Sequence, residues 1–277
     1  GILPEGEIRE IIARNLGISQ KNDFSMLEWI GGECAGAITF MPLNQKLKSS
    51  DYDYRLISKE QLSNILKELP KRPLMAGDQG IRLSLAGAQN KLAIHKKGDI
   101  LSIPLGNAPS THILKPSNQR FEGMVFNEAL CMGLAAAIGL DTAKIETGRV
   151  EDIDYILVER YDRLIHPGKN DQYKRIHQED FCQALGIVSE RKYQREGGPS
   201  LKDCFKLIRE ISNTPLIDLQ GLLDSVIYNY VVGNHDAHGK NFSLLYEPNE
   251  QSGEIKVRMA PLYDIICTDY YPELDKH

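Results

Sequence analysis

Gly233-Asn234-His235-Asp236-Ala237-His238-Gly239-Lys240-Asn241-Phe242 gathers a carboxylate, an imidazole, an ammonium and an amide into the six residues from Asp236 to Asn241. The apolar run Val226 to Val232 precedes it, and Phe242 to Tyr246 follows. A short polar stretch held between two apolar segments is how a reactive loop is mounted on a rigid frame. These residues are the leading candidates for chemistry.

Asp236 and Asn241 stand five apart. That is the separation between the base and the metal-binding amide in the catalytic loop of protein kinases. The chemistry explains the spacing: a carboxylate meets the hydroxyl that attacks the γ-phosphate, and an amide oxygen one loop turn later reaches Mg²⁺. A lysine between them, Lys240, can neutralise the phosphoryl group in transit. Asp264 lies twenty-three residues past Asn241, inside the apolar run Pro261-Leu262-Tyr263-Asp264-Ile265-Ile266. Two oxygen ligands from adjacent segments suit Mg²⁺, which keeps several waters. Two other readings compete. In one, the loop is a polar turn in which Asp236 caps a helix and Asn241 satisfies backbone groups. In the other, Gly-Asn-His-Asp belongs to a dinuclear-metal phosphoesterase. The latter needs Asp-x-His and Gly-Asp-x-x-Asp upstream; the chain has no Asp-x-His, and Gly77-Asp78 lacks the second carboxylate.

At 277 residues the chain can bury one large or two ordinary cores. Its 42% apolar and 26% charged residues are those of a globular protein. A net charge of −5 gives no overall electrostatic footprint for nucleic acid. Cys34, Cys131, Cys182, Cys204 and Cys267 are odd in number and lack C-x-x-C spacing, so they read as buried thiols of a reducing cytosol rather than a disulfide framework or zinc site. No run of eighteen apolar residues and no signal peptide is present, so a soluble protein with no membrane partner is expected. The absence of an initial methionine, and an end a dozen residues after Asp264, read as both termini cut from something longer.

Upstream, helices are expected over Gly6 to Leu16, Ser25 to Ile30 and Lys59 to Leu69 from apolar residues three and four apart, with a strand over Ala35 to Met41. This region reads as scaffold. Ile81 to Leu85 and Lys91 to His95 read as a hairpin joined by Ala86-Gly87-Ala88-Gln89-Asn90, with a third strand over Ile100 to Pro104. Small residues at the tip allow backbone N–H groups to face phosphate oxygens, although on spacing alone an ordinary hairpin is the favoured reading. Thr111 to Pro116 reads as a strand carrying Lys115, its proline at a sheet edge. Asn127 to Leu140 reads as a buried helix, and Lys144 to Val150 with Tyr155 to Glu159 as an antiparallel pair. The domain boundary is expected at the polar loop His166 to Tyr173, where β-rich sequence gives way to helical sequence. Beyond it, Gln178 to Leu185, Leu201 to Ile211 and Leu216 to Val232 read as helices of an all-helical lobe.

Taken together, Ser84-Leu85-Ala86-Gly87-Ala88-Gln89, His112 to Lys115, Val158 to Arg163, Gln178-Glu179-Asp180, Lys192-Tyr193 with Gly197-Gly198-Pro199, His235 to Ser243 and Tyr263-Asp264-Ile265 closely resemble the HipA family of toxin serine/threonine kinases. The resemblance runs along nearly the whole chain. It implies an α+β, two-lobed, phosphatidylinositol-kinase-like fold using ATP and Mg²⁺: a β-rich N-terminal lobe over 1–160 and an all-helical C-terminal lobe over 161–277. It implies Asp236 as catalytic base, with Lys240 and His238 beside it, and Asn241 and Asp264 as metal ligands. Lys115 would be the ATP-phosphate lysine, Ala86, Gly87, Ala88 and Gln89 the phosphate loop, and Glu159, Arg160 and Tyr161 the adenine connector. Ser84 matches the serine that family members phosphorylate on themselves, a modification that would repel ATP from a loop meant to cradle anions. Implied partners are a helix-turn-helix antitoxin, DNA only through that antitoxin, and an aminoacyl-tRNA synthetase as substrate. A catalytically inactive kinase-like module working through the antitoxin complex is the alternative, and a metallophosphoesterase ranks last.

Overall fold

In the computed structural model, residues 2–44, 47, 52–118, 120–165, 173–249 and 252–273 are described. They fall into two compact units, one formed by 2–117 and 146–175, the other by 118–145 and 176–277.

The first unit is built on a six-stranded sheet. Its strands are β1 (Tyr54–Leu56), β2 (Leu92–Lys97), β3 (Ile100–Pro104), β4 (His112–Pro116), β5 (Ile145–Val150) and β6 (Ile153–Glu159), in the order β1-β3-β2-β4-β6-β5. Helices α1 (Gly6–Leu16), α2 (Asp23–Ile30) and α3 (Lys59–Glu68) contribute Ile8, Ile12, Met26, Ile30, Leu62 and Leu66 to a core shared with Leu92, Ile94, Ile103 and Leu114 from the sheet. Each helix follows from its sequence. A left-handed Gly17 ends α1, Asn22 caps α2, and Ser58 with Gln61 forms a capping box on α3. Short strands β7 (Arg163–Ile165) and β8 (Tyr173–Arg175) pair antiparallel after the sheet.

The second unit holds α4 (Met124–Ala137), α5 (Phe181–Ala184), α6 (Leu201–Ile211) and α7 (Pro215–Val231). Ser200 and Asp203 make a capping box at α6, and Pro215 opens α7 where its missing N–H costs nothing. A three-stranded sheet, β11 (Ile255–Met259), β10 (Ser243–Pro248) and β9 (His177–Asp180) in that order, completes the unit.

Several expectations are corrected. The second unit contains a sheet, so its lobe is not all-helical: Gln178 to Asp180 pair with β10, and the helix expected from Gln178 begins at Phe181, where Asp180 and Gln183 form a capping box. Ala35 to Met41 forms no strand; Phe40 N–H donates instead to Gly31 O. Ile81 to Leu85 makes only an isolated bridge between Leu83 and Glu33, so residues 86–90 are not a hairpin tip. Pro116 ends an inner strand, β4, rather than an edge one. Helix α4 is not buried all round, because Phe126, Leu130, Leu134 and Ile138 are exposed along one face. By compactness α4 groups with the later helices and 161–175 with the six-stranded sheet, so the chain passes between the units three times, after 117, 145 and 175. The loop expected over 166–173 lies, except for Tyr173, outside the described residues. None of the five cysteines is in a disulfide. Among the described residues no helix is long and apolar enough to cross a membrane.

Candidate active site

The loop after α7 is fixed by polar contacts from both directions. Asn234 N–H donates to Asn229 O at 2.9 Å, and its side-chain amide donates to Asn229 Oδ1 at 2.7 Å, so the loop grips the last turn of α7. Asn234 Oδ1 then accepts Asp236 N–H at 3.1 Å. His235 N–H donates to Thr268 Oγ1 at 2.7 Å, and Gly233 O accepts the backbone N–H groups of Thr268 and Asp269. A loop with this many backbone groups satisfied is pre-organised, as a catalytic constellation requires.

Asp236 accepts a hydrogen bond from the phenol of Tyr193 at Oδ1. His238 N–H donates to Asn241 Oδ1 at 3.0 Å, and Asn241 N–H donates to His238 O at 2.9 Å, which closes the turn between base and amide. Burial, followed by the charge of Lys192, pushes the His238 imidazole down to about 3 from 6.5, with Asp264 acting against them. His238 is therefore neutral near pH 7 and shapes the loop rather than lending it charge. Lys240 is almost wholly buried, its ammonium 2.7 Å from Asp180 Oδ2. Asp180 thus caps α5 through Oδ1 and holds Lys240 through Oδ2.

Asp264 lies on a segment tied to this loop. The hydroxyl of its neighbour Tyr263 donates to Lys240 O at 2.6 Å and lies 2.7 Å from Ser243 Oγ, and Asp264 acts electrostatically on His238. Its φ of 60° is left-handed, a conformation that costs an L-residue on the order of 1 kcal/mol and clusters at functional sites. Asp236, Asn241 and Asp264 accordingly share one compact unit and adjoining segments. One amide oxygen and carboxylates suit Mg²⁺, a hard cation that takes few protein ligands. Among the described residues no group of three or more His, Cys, Asp or Glu is arranged to hold a metal.

The remaining predicted residues lie in the first unit. Gly87 has φ 99°, its carbonyl accepts Glu5 N–H, and Lys91 Nζ donates to Ala86 O at 2.8 Å. Ala88 and Gln89 continue this turn towards β2. Ser84 is fully buried, donating Oγ to Ile2 O at 2.7 Å. Lys115 pairs with Ile156, and Glu159 with His112, in the β4–β6 ladder. Arg160 does not face solvent: its guanidinium bonds Asp162, Glu33, Ser110 and Cys34 O, and its backbone N–H donates to Thr111 O. Tyr161 follows it, half-buried.

Three structural residues escaped the sequence reading. Glu33, fully buried, is the centre of an ion network with Arg160, Arg163 and Arg175. Burial pushes its carboxyl up, but Arg163, Arg160 and Arg175 outweigh this and hold it below the ordinary range. The other two are Tyr193, on Asp236, and Asp180, on Lys240. The quoted Lys192-Tyr193 and Gln178-Glu179-Asp180 motifs contained both, without a role.

Comparison with known proteins accords with this geometry. The profile for the HipA-like C-terminal domain matches residues 83–277, and that for the HipA N-terminal domain matches residues 1–41. The chain belongs to the HipA family. The protein named "Putative kinase Y4mE" of Sinorhizobium fredii is 46% identical over 278 residues, 99% of this chain and 64% of that protein. The serine/threonine-protein kinase toxin HipA of Shewanella oneidensis is 31% identical over 286 residues, 99% of this chain and 63% of that protein. A solved complex of HipA, HipB and operator DNA from Shewanella oneidensis MR-1 contains a chain that superposes with a TM-score of 0.79 at 29% identity, covering 99% of this chain and 64% of that one. The chain thus spans somewhat less than two thirds of the length of these relatives.

Proposed function

We propose that this chain carries the catalytic centre of an ATP- and Mg²⁺-dependent serine/threonine protein kinase, the toxin of a toxin–antitoxin pair acting in the cytoplasm. The observation that supports it best is the tie between the two ligand segments: Tyr263, next to Asp264, donates to the carbonyl of Lys240, next to Asn241. Asp236 would take the acceptor's proton, and Asn241 and Asp264 would hold Mg²⁺, which when bound neutralises charge on the transferring phosphoryl group. Lys240, anchored by Asp180, would hold the loop's charge in place. The two compact units would be the two lobes of a phosphatidylinositol-kinase-like fold, one built on the six-stranded sheet and the other on helices with a three-stranded sheet. Lys115 would meet the ATP phosphates, the Ala86-Gly87-Ala88-Gln89 turn would cradle them, and the Glu159-Arg160-Tyr161 connector would border the adenine. In that connector Arg160 would brace through its buried ion pairs rather than touch the base.

The Shewanella oneidensis complex supports a HipB-like antitoxin as partner, with operator DNA reached through it; the helix-turn-helix form of that antitoxin and an aminoacyl-tRNA synthetase as protein substrate are proposed from the family resemblance alone. Incubation with labelled ATP and Mg²⁺ tests the reading, with Ser84 as the internal acceptor. Wild type should label Ser84 and Asp236→Ala should not; equal labelling of both ends it.

A further inference from the structure

Tyr193 sits where an acceptor should. Its hydroxyl donates to Asp236 Oδ1, the oxygen that on the reading above receives the acceptor's proton. Its ring packs edge-on against His238 at 5.0 Å, and Lys192 Nζ lies 5.1 Å from the ring centroid. The backbone around it is tightly folded: Lys192 O accepts Gly239 N–H, and Tyr193 O accepts the N–H groups of Glu196 and Gly198. The phenol is therefore delivered to the carboxylate by a built loop rather than by a freely swinging side chain. Burial and the neighbouring Asp236 both raise the phenol's titration, which keeps it protonated and donating.

Tyr193 also borders a cavity of about 920 Å³. Leu201 and Cys204 of α6 and Val226 and Tyr230 of α7 give that cavity apolar wall; Lys192 and Arg195 give it positive charge at the Tyr193 loop, while the carboxylate of Asp269 lies 3.1 Å from His235 Nε2. Tyr230 and Leu201, which line it, are themselves exposed. The cavity is also lined by His235, Ala237 and His238, the neighbours of Asp236 on its loop.

We propose that Tyr193 is an internal stand-in for the phosphoacceptor, its hydroxyl occupying the place of the incoming serine or threonine, and that the cavity it borders receives the acceptor's flanking segment, one that carries an apolar side chain and an acidic neighbour. The proposal rests on the kinase reading of Asp236. In the reaction the acceptor hydroxyl displaces the phenol from Asp236. Its oxygen forms the new bond to the γ-phosphorus of ATP as the bond from that phosphorus to the β,γ-bridging oxygen breaks. The hydroxyl proton passes to the Asp236 carboxylate, and ADP leaves with the electron pair. Tyr193 contributes no atom to this exchange; it determines whether the base is open. As a positioning residue it keeps water, the commonest competing acceptor, from Asp236 until a better one arrives.

Water is accordingly the probe. ATP hydrolysis by the protein with Mg²⁺ and no protein acceptor is measured for wild type, Tyr193→Phe and Asp236→Asn. Tyr193→Phe keeps the ring and removes the hydroxyl. Its hydrolysis should rise about tenfold, the factor withheld by one hydrogen bond to a charged group. Its thermal midpoint should fall by no more than the loss of that one hydrogen bond allows, because the ring packing remains. A merely structural role for Tyr193 gives equal or slower hydrolysis in Tyr193→Phe, and that result, zero in both proteins included, overturns the proposal. An Asp236→Asn protein that hydrolyses ATP as fast as an active wild type instead removes the base assignment beneath it.

Discussion

Lys240 Nζ and Asp180 Oδ2 form an ion pair at 2.7 Å with both side chains more than nine-tenths buried. The lysine of the reactive loop is thereby tied to the N-cap of α5, sixty residues earlier. Breaking such a pair from one side strands a charge in a dry site, at a cost of about 3–5 kcal/mol. Asp180→Ala should therefore unfold at markedly lower urea concentration than wild type. Adding Lys240→Met should recover much of the loss, because no charge is then left unpaired. Chemical denaturation of the two single variants and the double variant measures the coupling directly.

The ion network at Arg160 makes stability depend on acid. Burial raises the Asp162 carboxyl, but Arg160 and Arg163 outweigh it and bring it down to about 2 from 3.8. A folded value below the unfolded one means that this contribution is present above about pH 4 and is lost as pH falls towards 2. The loss amounts to about 2 kcal/mol. Urea midpoints measured between about pH 5 and 2.5 should fall in wild type and fall less in Asp162→Asn, which starts from a lower midpoint.

His238 should not titrate in the physiological range. Burial and then Lys192 hold it at about 3, so folding favours its neutral form; the associated stability is full above about pH 6.5 and declines as pH falls towards 3. The imidazole proton resonance assigned to His238 should stay fixed between about pH 5 and 8. A midpoint near 6.5 would show that the side chain is exposed and that the loop is differently built.

Gly239 is required by packing. A Cβ there would lie 2.7 Å from Pro199 Cγ and 2.8 Å from Cys182 Sγ, pressing the reactive loop away from both. Gly239→Ala should cost about 1–3 kcal/mol, the usual range for overpacking, and should lower phosphoryl transfer beyond what the lost stability explains. Comparison of transfer rate with folded fraction, by circular dichroism, separates the two effects.

What the sequence disclosed was local. Helices α1 and α6 occupy the residues expected because apolar positions three and four apart, with their terminating residues, are written within a dozen residues. Asp236 and Asn241 were legible for the same reason, since the chemistry that pairs them needs a fixed short spacing. The start of α5 was also written locally, in the capping box from Asp180 to Gln183, but the preceding Gln178 and Glu179 were read into the helix instead of a strand. Ile81 to Leu85 has strand composition and found no ladder, because strand formation depends on a partner as much as on propensity. Contacts between distant polar residues left no pattern: Tyr193 meets Asp236 across 43 positions, and Glu33 meets Arg163 across 130. Glu33 in particular sits in a stretch that reads as plain scaffold, where only the fold reveals three arginines closing around it.

The most direct test of the central claim is calorimetric titration of ATP into wild type and Asp264→Asn, each with and without Mg²⁺. If Asp264 and Asn241 serve one nucleotide-bound cation, Mg²⁺ should tighten ATP binding to wild type by at least about tenfold, as loss of one charged ligand contact implies, and should do little for Asp264→Asn. An equal effect of Mg²⁺ on both proteins would contradict the assignment of Asp264 to the metal and, with it, the account of this loop as a phosphoryl-transfer centre.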